Sequence, residues 1–204
     1  EDPAVSEADV CLCMMGGEFS LDTTSVAAFW WGQKYNFKEV AIKTSGMSKN
    51  VIVQIDGAKA KSRLPGDFFV KKTKVSEGII VDLQGIRHII VESSLRQDSR
   101  KIIERYKEGM PAVGVMAVEN HNTHLAIHPL VWVRATNTYI PETACGSGSI
   151  AAALACHFSS SSIPILQPSQ EYFTVQLELA GGILQAIFLA GLVKYLGEAE
   201  AIIG

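Results

Sequence analysis

Residues 142–154 read ETACGSGSIAAAL, and this stretch decides the fold. Four small residues, Gly-Ser-Gly-Ser, follow Cys145 and lead into the helix formers of residues 150–155. Glycine and serine favour turns, whereas a run of isoleucine, alanine and leucine favours a helix. The pattern therefore predicts a tight turn that feeds a buried helix.

A second stretch repeats this order of residue types. Residues 17–29 read GEFSLDTTSVAAF, and placing Ser20 on Cys145 aligns the two alanine-rich runs. Each stretch has a small nucleophile-type residue, a short polar turn and then an apolar helix. Internal duplication is one explanation. The sharper interpretation is that two similar helices point their N-termini at a shared point between two halves of the chain.

Two such helix ends favour acid–base chemistry on a carboxylate-bearing substrate. A helix N-terminus offers free N–H groups and partial positive charge, which bind a carboxylate and lower the pKa of a cysteine placed there. A Cys145 thiolate would remove an α-proton, and an acid on the opposite face would return it with inverted configuration. Helix dipoles would stabilise the carbanion without a metal or pyridoxal. The alternative is plain turn chemistry, with glycine serving the turn and cysteine the packing.

The rest of the chain reads as a β-rich α+β protein. Alternating and β-branched residues predict strands, and Ile102, Ile103 and Tyr106 lie at helical spacing among charges. The predicted strands cover residues 40–43, 51–56, two segments within 78–93 around a turn at Gly85, 113–119, 125–134, 173–178, 183–190 and 192–203. An amphipathic helix is predicted at residues 98–108.

Composition excludes several classes of protein. Hydrophobic residues make up 48% and charged residues 19%, a globular balance. The net charge of −3 without a basic run argues against a nucleic-acid partner. The apolar stretch 149–157 is too short to span a membrane, and the acidic residues 1–10 do not resemble a signal peptide. Four cysteines at positions 11, 13, 145 and 156 form neither a disulfide framework nor a zinc ribbon, so we expect a reduced, cytoplasmic protein.

The motifs together resemble a known family. ETACGSGSIAAALA resembles the second-cysteine motif of the diaminopimelate epimerase-like family, and more closely that of its staphylopine-type histidine racemase branch, which serves metallophore biosynthesis. MMGGEFSLDTTSVAAF resembles the family's Glu-Phe-Cys-Gly-Asn-Ala-Thr motif. Gly85 and His88 in LQGIRHIIV lie where the family has Gly-Asn-Pro-His, and GLVKYLGEAEAII resembles its closing strand.

The resemblance implies two pseudo-symmetric α/β halves, each a curved sheet around a central helix, with the active site in the cleft between them. The halves would be residues 1–93, lacking the family's first strand and helix, and residues 94–204, with the final strand free to cross to the other half. The implied activity is cofactor-independent racemisation or epimerisation of an amino acid, with histidine as one candidate. A homodimer is usual for the diaminopimelate branch.

The resemblance also assigns residues to the site. Cys145 would be one acid/base, and Ser20 would mark the position of the second cysteine. The backbone of Gly146, Ser147 and Gly148 would bind the substrate carboxylate. The remaining implied substrate-binding residues are Leu21, Asp22 and Glu142.

Three departures from the family pattern leave the activity open. Serine replaces the expected cysteine at Ser20, Leu21-Asp22 replaces Gly-Asn, and Ile86 replaces an asparagine. Ser20 is then an engineered Cys→Ser change, the mark of an enzyme with a single base, or the mark of an inactive relative. The function is accordingly a two-base racemase, a single-base isomerase or dehydratase of the same fold, or a binding module without catalysis.

The remaining candidates have ordinary structural interpretations beside functional ones. Glu142 and Glu18 would recognise a substrate ammonium or lie in surface turns, and Asp22 would cap the first helix. His88 is expected to be a core or surface histidine. We expect no metal at the three histidines His121, His124 and His128, because no cysteine or carboxylate joins them. Trp30, Trp31 and Cys156 are expected to be buried.

Overall fold

A computed structural model describes residues 8–14, 17–156 and 162–194. Within these ranges the helices are α1 (Leu21–Tyr35), α2 (Ser99–Tyr106) and α3 (Gly146–Ala155). The strands are β1 (Val10–Leu12), β2 (Glu39–Thr44), β3 (Val51–Asp56), β4 (Lys59–Pro65), β5 (Phe69–Lys74), β6 (Gly78–Leu83), β7 (Ile86–Glu92), β8 (Ala112–Asn120), β9 (Leu125–Val133), β10 (Thr138–Pro141), β11 (Ser162–Leu166), β12 (Tyr172–Ala180) and β13 (Ile183–Leu192).

The strands form one continuous sheet. Its order is β1-β2-β3-β4-β13-β12-β11-β9-β8-β7-β6-β5, with β10 paired to β9. The late strand β13 lies antiparallel to β4, which joins an early and a late part of the chain in the sheet. Strands β7 and β8 are parallel neighbours on either side of residue 93, so the sheet is continuous across that point. The division of the chain at residue 93 stays a prediction.

Helix α3 lies inside this sheet. Nine of its ten residues are buried, and it contacts β6, β7, β8, β9, β12 and β13. The helix carries no charged side chain, and the hydroxyls of its two serines have buried hydrogen-bond partners, so it can be enclosed on every side. The α+β architecture predicted from the sequence, with sheets around central helices, is confirmed.

The Gly-Ser-Gly-Ser segment forms the first turn of α3, whereas a turn ahead of the helix was predicted. The close packing around this turn requires glycine at positions 146 and 148. A Cβ atom at Gly148 would lie 2.3 Å from the Met116 sulfur and 2.8 Å from the Cys145 sulfur. A Cβ atom at Gly146 would lie 2.8 Å from a methyl carbon of Leu189. Small residues therefore let the sheet approach the start of the helix closely.

Helix α1 packs one face on β2, β3 and β4. Its buried residues Leu21, Thr24, Ala28 and Gly32 recur at helical spacing. Trp30 lies on the opposite face and is 53% exposed, so the prediction that it packs in the core is wrong. Trp31 is partly buried against the core, as expected.

The long alternating segments were predicted correctly, and the charged strands were not. The strand pairs β2–β3 and β6–β7 form as predicted, and so do the single elements β8, β9, α2, β12 and β13. The sequence analysis missed β1, β4, β5, β10 and β11. Strand β4 buries only Ala60, Ser62 and Leu64 between charged residues, a pattern too polar to read as a strand. The strand predicted at residues 192–203 lies mostly outside the described residues.

No helix within the described ranges is long and apolar enough to cross a membrane.

The enclosure of α3 predicts a large loss of stability from truncation of its core. Ile150 is fully buried. We expect Ile150→Ala to lower the free energy of unfolding by about 2–5 kcal/mol, because it removes packed methyl groups and leaves a cavity. The exposed α1 residue Val26 provides the control, and Val26→Ala should change it by less than about 0.5 kcal/mol. Urea denaturation measures both values, and similar losses for the two variants would contradict a central α3.

Candidate active site

The N-terminal ends of α1 and α3 open on one cavity of about 250 Å³. Ser20 is the residue before α1 and Cys145 the residue before α3, and both line the cavity. Sites for drug-sized ligands measure about 300–1,000 Å³, so this cavity favours a smaller ligand of amino-acid size. The two motifs that the sequence analysis aligned thus meet at one place.

Most of the predicted site residues surround this cavity. Its walls include Leu21, Asp22, Glu142, Ser147 and Glu18, the last of which the sequence analysis weighed as an alternative. Leu21 is fully buried in the core as well. Gly146 and Gly148 lie in the first turn of α3 directly behind Cys145. Every charged side chain along the described wall is acidic.

The backbone of Cys145 is held by a buried polar cluster. Its N–H donates to Oε1 of Gln167 at 2.9 Å, and its carbonyl accepts from the Ser149 hydroxyl at 2.7 Å. Nε2 of Gln167 donates to the same hydroxyl at 3.0 Å, which closes the cluster. Buried polar groups that satisfy one another in this way hold a single geometry. Gln167 was missed, because nothing in the sequence links residues 22 positions apart.

The Cys145 thiol is protonated rather than ionised in this structure. Burial, followed by the charges of Glu142 and Asp22, raises the pKa of Cys145 well above its usual range. The sequence analysis predicted a lowered pKa from the helix end, and this is wrong because loss of solvation outweighs the helix dipole. Cys145 is 2% exposed, yet it lines the cavity and so faces space that a ligand can enter.

Glu142 is the nearest candidate to exchange a proton with this thiol. Its carboxylate is hydrogen-bonded to Cys145, and burial raises the pKa of Glu142 to about 7. Its Oε2 atom is buried without a partner among the described residues. The expectation of a surface-turn residue is therefore wrong. The same holds for Glu18, whose Oε2 is also buried without a described partner on the cavity wall.

Ser20 caps α1. Its Oγ lies 2.8 Å from Oγ1 of Thr23 and accepts the Thr23 N–H at 3.4 Å. Asp22 was expected to be the cap, but it lies one residue into the helix, and its carboxylate turns to α3 instead. Oδ2 of Asp22 accepts the Gly146 N–H at 2.8 Å.

His88 connects strand β7 to the start of α3. The side chain is fully buried, as a core histidine, and Nε2 lies 2.9 Å from Oγ of Ser147. Burial lowers the pKa of His88 to about 3, so the ring is neutral at physiological pH. Oγ of Ser147 in turn lies 4.0 Å from the Cys145 sulfur. Ser147 thereby links the sulfur to a neutral imidazole.

The other histidines and cysteines that the structure describes lie away from the cavity. Glu119 lies 3.7 Å from Nε2 of His121 and 3.3 Å from Nε2 of His128, so the expectation that no carboxylate joins these histidines is wrong. His124 stacks on His121. No group of three or more potential ligands in the described ranges is arranged to hold a metal. Cys11 and Cys13 are exposed, and Cys156 follows the end of α3 and is half-buried rather than buried.

Comparison with known proteins identifies the family to which the chain belongs. The family model "Histidine racemase CntK N-terminal domain" matches residues 1–201. The chain belongs to this family. Histidine racemases from two strains of Fusobacterium nucleatum subsp. nucleatum are 31% identical over 159 residues and 32% identical over 162 residues. These matches cover 69% and 70% of the chain, and the chain spans about 60% of the length of each curated relative.

Solved structures confirm the fold of this family member. A phenazine biosynthesis PhzC/PhzF protein from Clostridium difficile aligns over 91% of the chain and 74% of its own, with a TM-score of 0.57 and 14% identity. A PhzF family protein from Enterococcus faecalis aligns over 87% of the chain and 71% of its own, with a TM-score of 0.54 and 12% identity. Both have the diaminopimelate epimerase-like α+β fold.

The raised pKa of Glu142 predicts a pH-dependent stability difference. The ordinary value is 4.5 and the folded value about 7, so ionisation between these limits destabilises the folded state and stability falls as pH rises through this range. Glutamine cannot ionise. Glu142→Gln should therefore gain about 3 kcal/mol of unfolding free energy over wild type between pH 4.5 and pH 8. Urea denaturation at both pH values measures this gain. Exposed Glu108 supplies the control, and an equal gain for Glu108→Gln would refute the assignment.

The electrostatics of the cavity also predict thiol reactivity. At pH 7.5 iodoacetamide should modify exposed Cys11 and Cys13 well before Cys145, because only a thiolate reacts. Glu142→Gln removes a charge that raises the Cys145 pKa and should speed its alkylation about tenfold. Residue-resolved mass spectrometry follows each cysteine. Glu178→Gln, at an exposed site, should leave the rates unchanged, and a Cys145 as fast as Cys11 in wild type would count against this account.

Proposed function

We propose that this chain provides the acid–base cavity of a cofactor-independent amino-acid racemase, with histidine as the leading substrate. One observation carries the proposal. Cys145, at the N-terminus of a buried helix, faces an amino-acid-sized cavity that is also lined by Ser20, Glu18 and Glu142, and each glutamate has one buried carboxyl oxygen without a partner among the described residues. Membership of the histidine racemase family and the curated relatives support the substrate.

Proton transfer begins between Glu142 and Cys145. With a pKa of about 7, Glu142 is partly ionised at neutral pH and can accept the thiol proton through its hydrogen bond to Cys145. The resulting thiolate removes the α-proton of the substrate. Groups whose pKa lies near the working pH transfer protons in both directions, as a reversible racemisation requires.

Charged and polar groups of the cavity bind the ammonium and carboxylate groups of the substrate. The acidic wall suits the α-ammonium group, for which the buried oxygens of Glu18 and Glu142 are available acceptors. The backbone of Ser147 and Gly148 at the start of α3 provides partial positive charge for the carboxylate and for the carbanion that develops beside it. Ser20 and Leu21 also line the cavity.

A second candidate is a single-base isomerase or dehydratase of the same fold. The observation that favours it is the engagement of Ser20, whose hydroxyl caps α1 through Thr23. A serine hydroxyl is far less acidic than a thiol, so it is a weak proton donor to carbon. In this alternative Cys145 exchanges the α-proton from one face only, and the configuration is retained.

The resemblance and the cysteine usage further suggest a cytoplasmic homodimer acting on a free amino acid. Size-exclusion chromatography with light scattering tests the dimer independently of catalysis.

Solvent exchange tests the proposed reaction. The chain is incubated in deuterated water with L-histidine and, separately, D-histidine, and the α-proton is followed by NMR. We expect loss of the α-proton signal by wild type or by Ser20→Cys, and a decrease of about 100-fold or more in Cys145→Ser. Cys156→Ser removes the other thiol near α3 and should retain the wild-type rate.

The pattern of products separates the candidates. Appearance of the opposite enantiomer supports the racemase, whereas exchange with retained configuration supports the single-base enzyme. Exchange only by Ser20→Cys means that serine disables the second base. An absence of exchange by both wild type and Ser20→Cys would defeat both enzymatic proposals.

A further inference from the structure

The turn that joins β11 to β12 holds the short segment between Glu142 and Cys145. Oε1 of Gln167, the residue that follows β11, accepts the Cys145 N–H at 2.9 Å. In the same turn, the Ser169 N–H donates to the Thr143 carbonyl at 2.9 Å. Two neighbouring peptide units between the carboxyl-bearing residue and the thiol-bearing residue are therefore fixed by one turn.

The side-chain amide of Gln167 has a single favourable orientation. The residue is buried, and its Nε2 donates to the Ile165 carbonyl at 3.1 Å and to Oγ of Ser149 at 3.0 Å. A rotated amide would place its NH₂ group against the Cys145 N–H and its oxygen against the Ile165 carbonyl, and both pairs repel. The turn is closed as well, because the Gln167 N–H donates to the Glu171 carbonyl at 2.9 Å. Gln167 thus presents its acceptor at one position.

The backbone of Cys145 is fixed on both sides of its Cα atom. Its N–H binds Gln167, and its carbonyl accepts from the Ser149 hydroxyl at 2.7 Å and from the Ser149 N–H at 2.9 Å. The backbone atoms on either side of Cα set the direction of the Cα–Cβ bond, so these hydrogen bonds restrict where the sulfur can lie. Proton transfer requires donor and acceptor within hydrogen-bond reach, and the Glu142 carboxyl group is hydrogen-bonded to this thiol.

We infer that Gln167 is a positioning residue, which holds the sulfur of Cys145 within hydrogen-bond reach of the Glu142 carboxyl group. The inference rests on the proposed function, because that function requires these two groups to exchange a proton. Gln167 lies behind the Cys145 backbone and is not among the residues of the described cavity wall. Loss of its amide should therefore weaken the interaction between the two side chains, while the groups that meet the substrate stay in place.

A double-mutant comparison tests this role without a substrate. Alkylation of Cys145 by iodoacetamide at pH 7.5 is followed by mass spectrometry in wild type, Glu142→Gln, Gln167→Met and the double variant. Methionine has a similar length and no amide. The charge and the hydrogen bond of Glu142 both act on the Cys145 thiol. Glu142→Gln should therefore speed alkylation about tenfold in wild type but less than about threefold in Gln167→Met. An equal effect in both backgrounds, whatever its size, would overturn the inference.

Two control backgrounds separate positioning from stability. Ile150→Ala destabilises α3 without touching the amide, and Gln170→Met changes an exposed amide in the same turn. The effect of Glu142→Gln should stay about tenfold in both, and its loss in Ile150→Ala would reject a specific role for Gln167. If Cys145 in Gln167→Met reacts as fast as exposed Cys11, that variant is unfolded around the site. Gln167→Asn, whose amide is one methylene shorter, then replaces it under the same criterion.

Solvent exchange of the histidine α-proton connects this role to the proposed reaction. In wild type or Ser20→Cys, whichever exchanges, adding Gln167→Met should lower kcat about tenfold and change KM by less than about twofold, because a misplaced sulfur slows proton transfer. A change carried by KM would contradict a positioning role. Coupled alkylation without any α-proton exchange would keep the role of Gln167 and reject the proposed function. Exchange by wild type with uncoupled alkylation would keep the proposed function and reject the inference.

Discussion

The enclosure of α3 is the constraint on which the rest of the structure depends. The helix has no charged side chain, and all of its residues except Leu154 are buried. Strands from before and after it in the chain must therefore wrap around it, which requires the pairing of β13 with β4 and of β7 with β8. Because Cys145 begins this helix, the same enclosure places the sulfur inside the molecule, at the wall of a cavity rather than at the surface.

Enclosure also sets the charge state of the site. Burial raises the pKa of Cys145 and of Glu142 and lowers the pKa of His88, so each group moves toward its neutral form. The helix dipole acts in the other direction on Cys145, but it is worth about 1 kcal/mol at a helix end, less than the desolvation of a buried thiolate. The cavity thus favours proton exchange between a thiol and a carboxyl group over a cysteine that is permanently ionised at neutral pH.

The acidic residues of the cavity come from positions beside the N-termini of the two helices. Glu18, Asp22 and Glu142 come from the segments that precede or begin the two helices, so each helix delivers both a small polar residue and an acid to the same space. Asp22 links the two helix ends through Gly146. The two similar stretches of sequence therefore meet at a physical junction, in which the second helix is held by an acid from the first.

The sequence by itself determined the elements with strong periodicity and the pair of related motifs. Alternation in β2, β3, β6 to β9, β12 and β13, and the alanine-rich runs of α1 and α3, are local signals that survive without tertiary information. The tertiary structure alone decided the charged strand β4, the exposure of Trp30, the burial of Glu142 and the partner of Asp22. Each depends on what the rest of the chain places beside it, because solvation and hydrogen bonding across more than 100 residues leave no mark on local sequence. Cys145 could therefore be predicted as a candidate acid/base from its neighbours in the chain. Its protonation state depends instead on the residues that surround it in the folded structure.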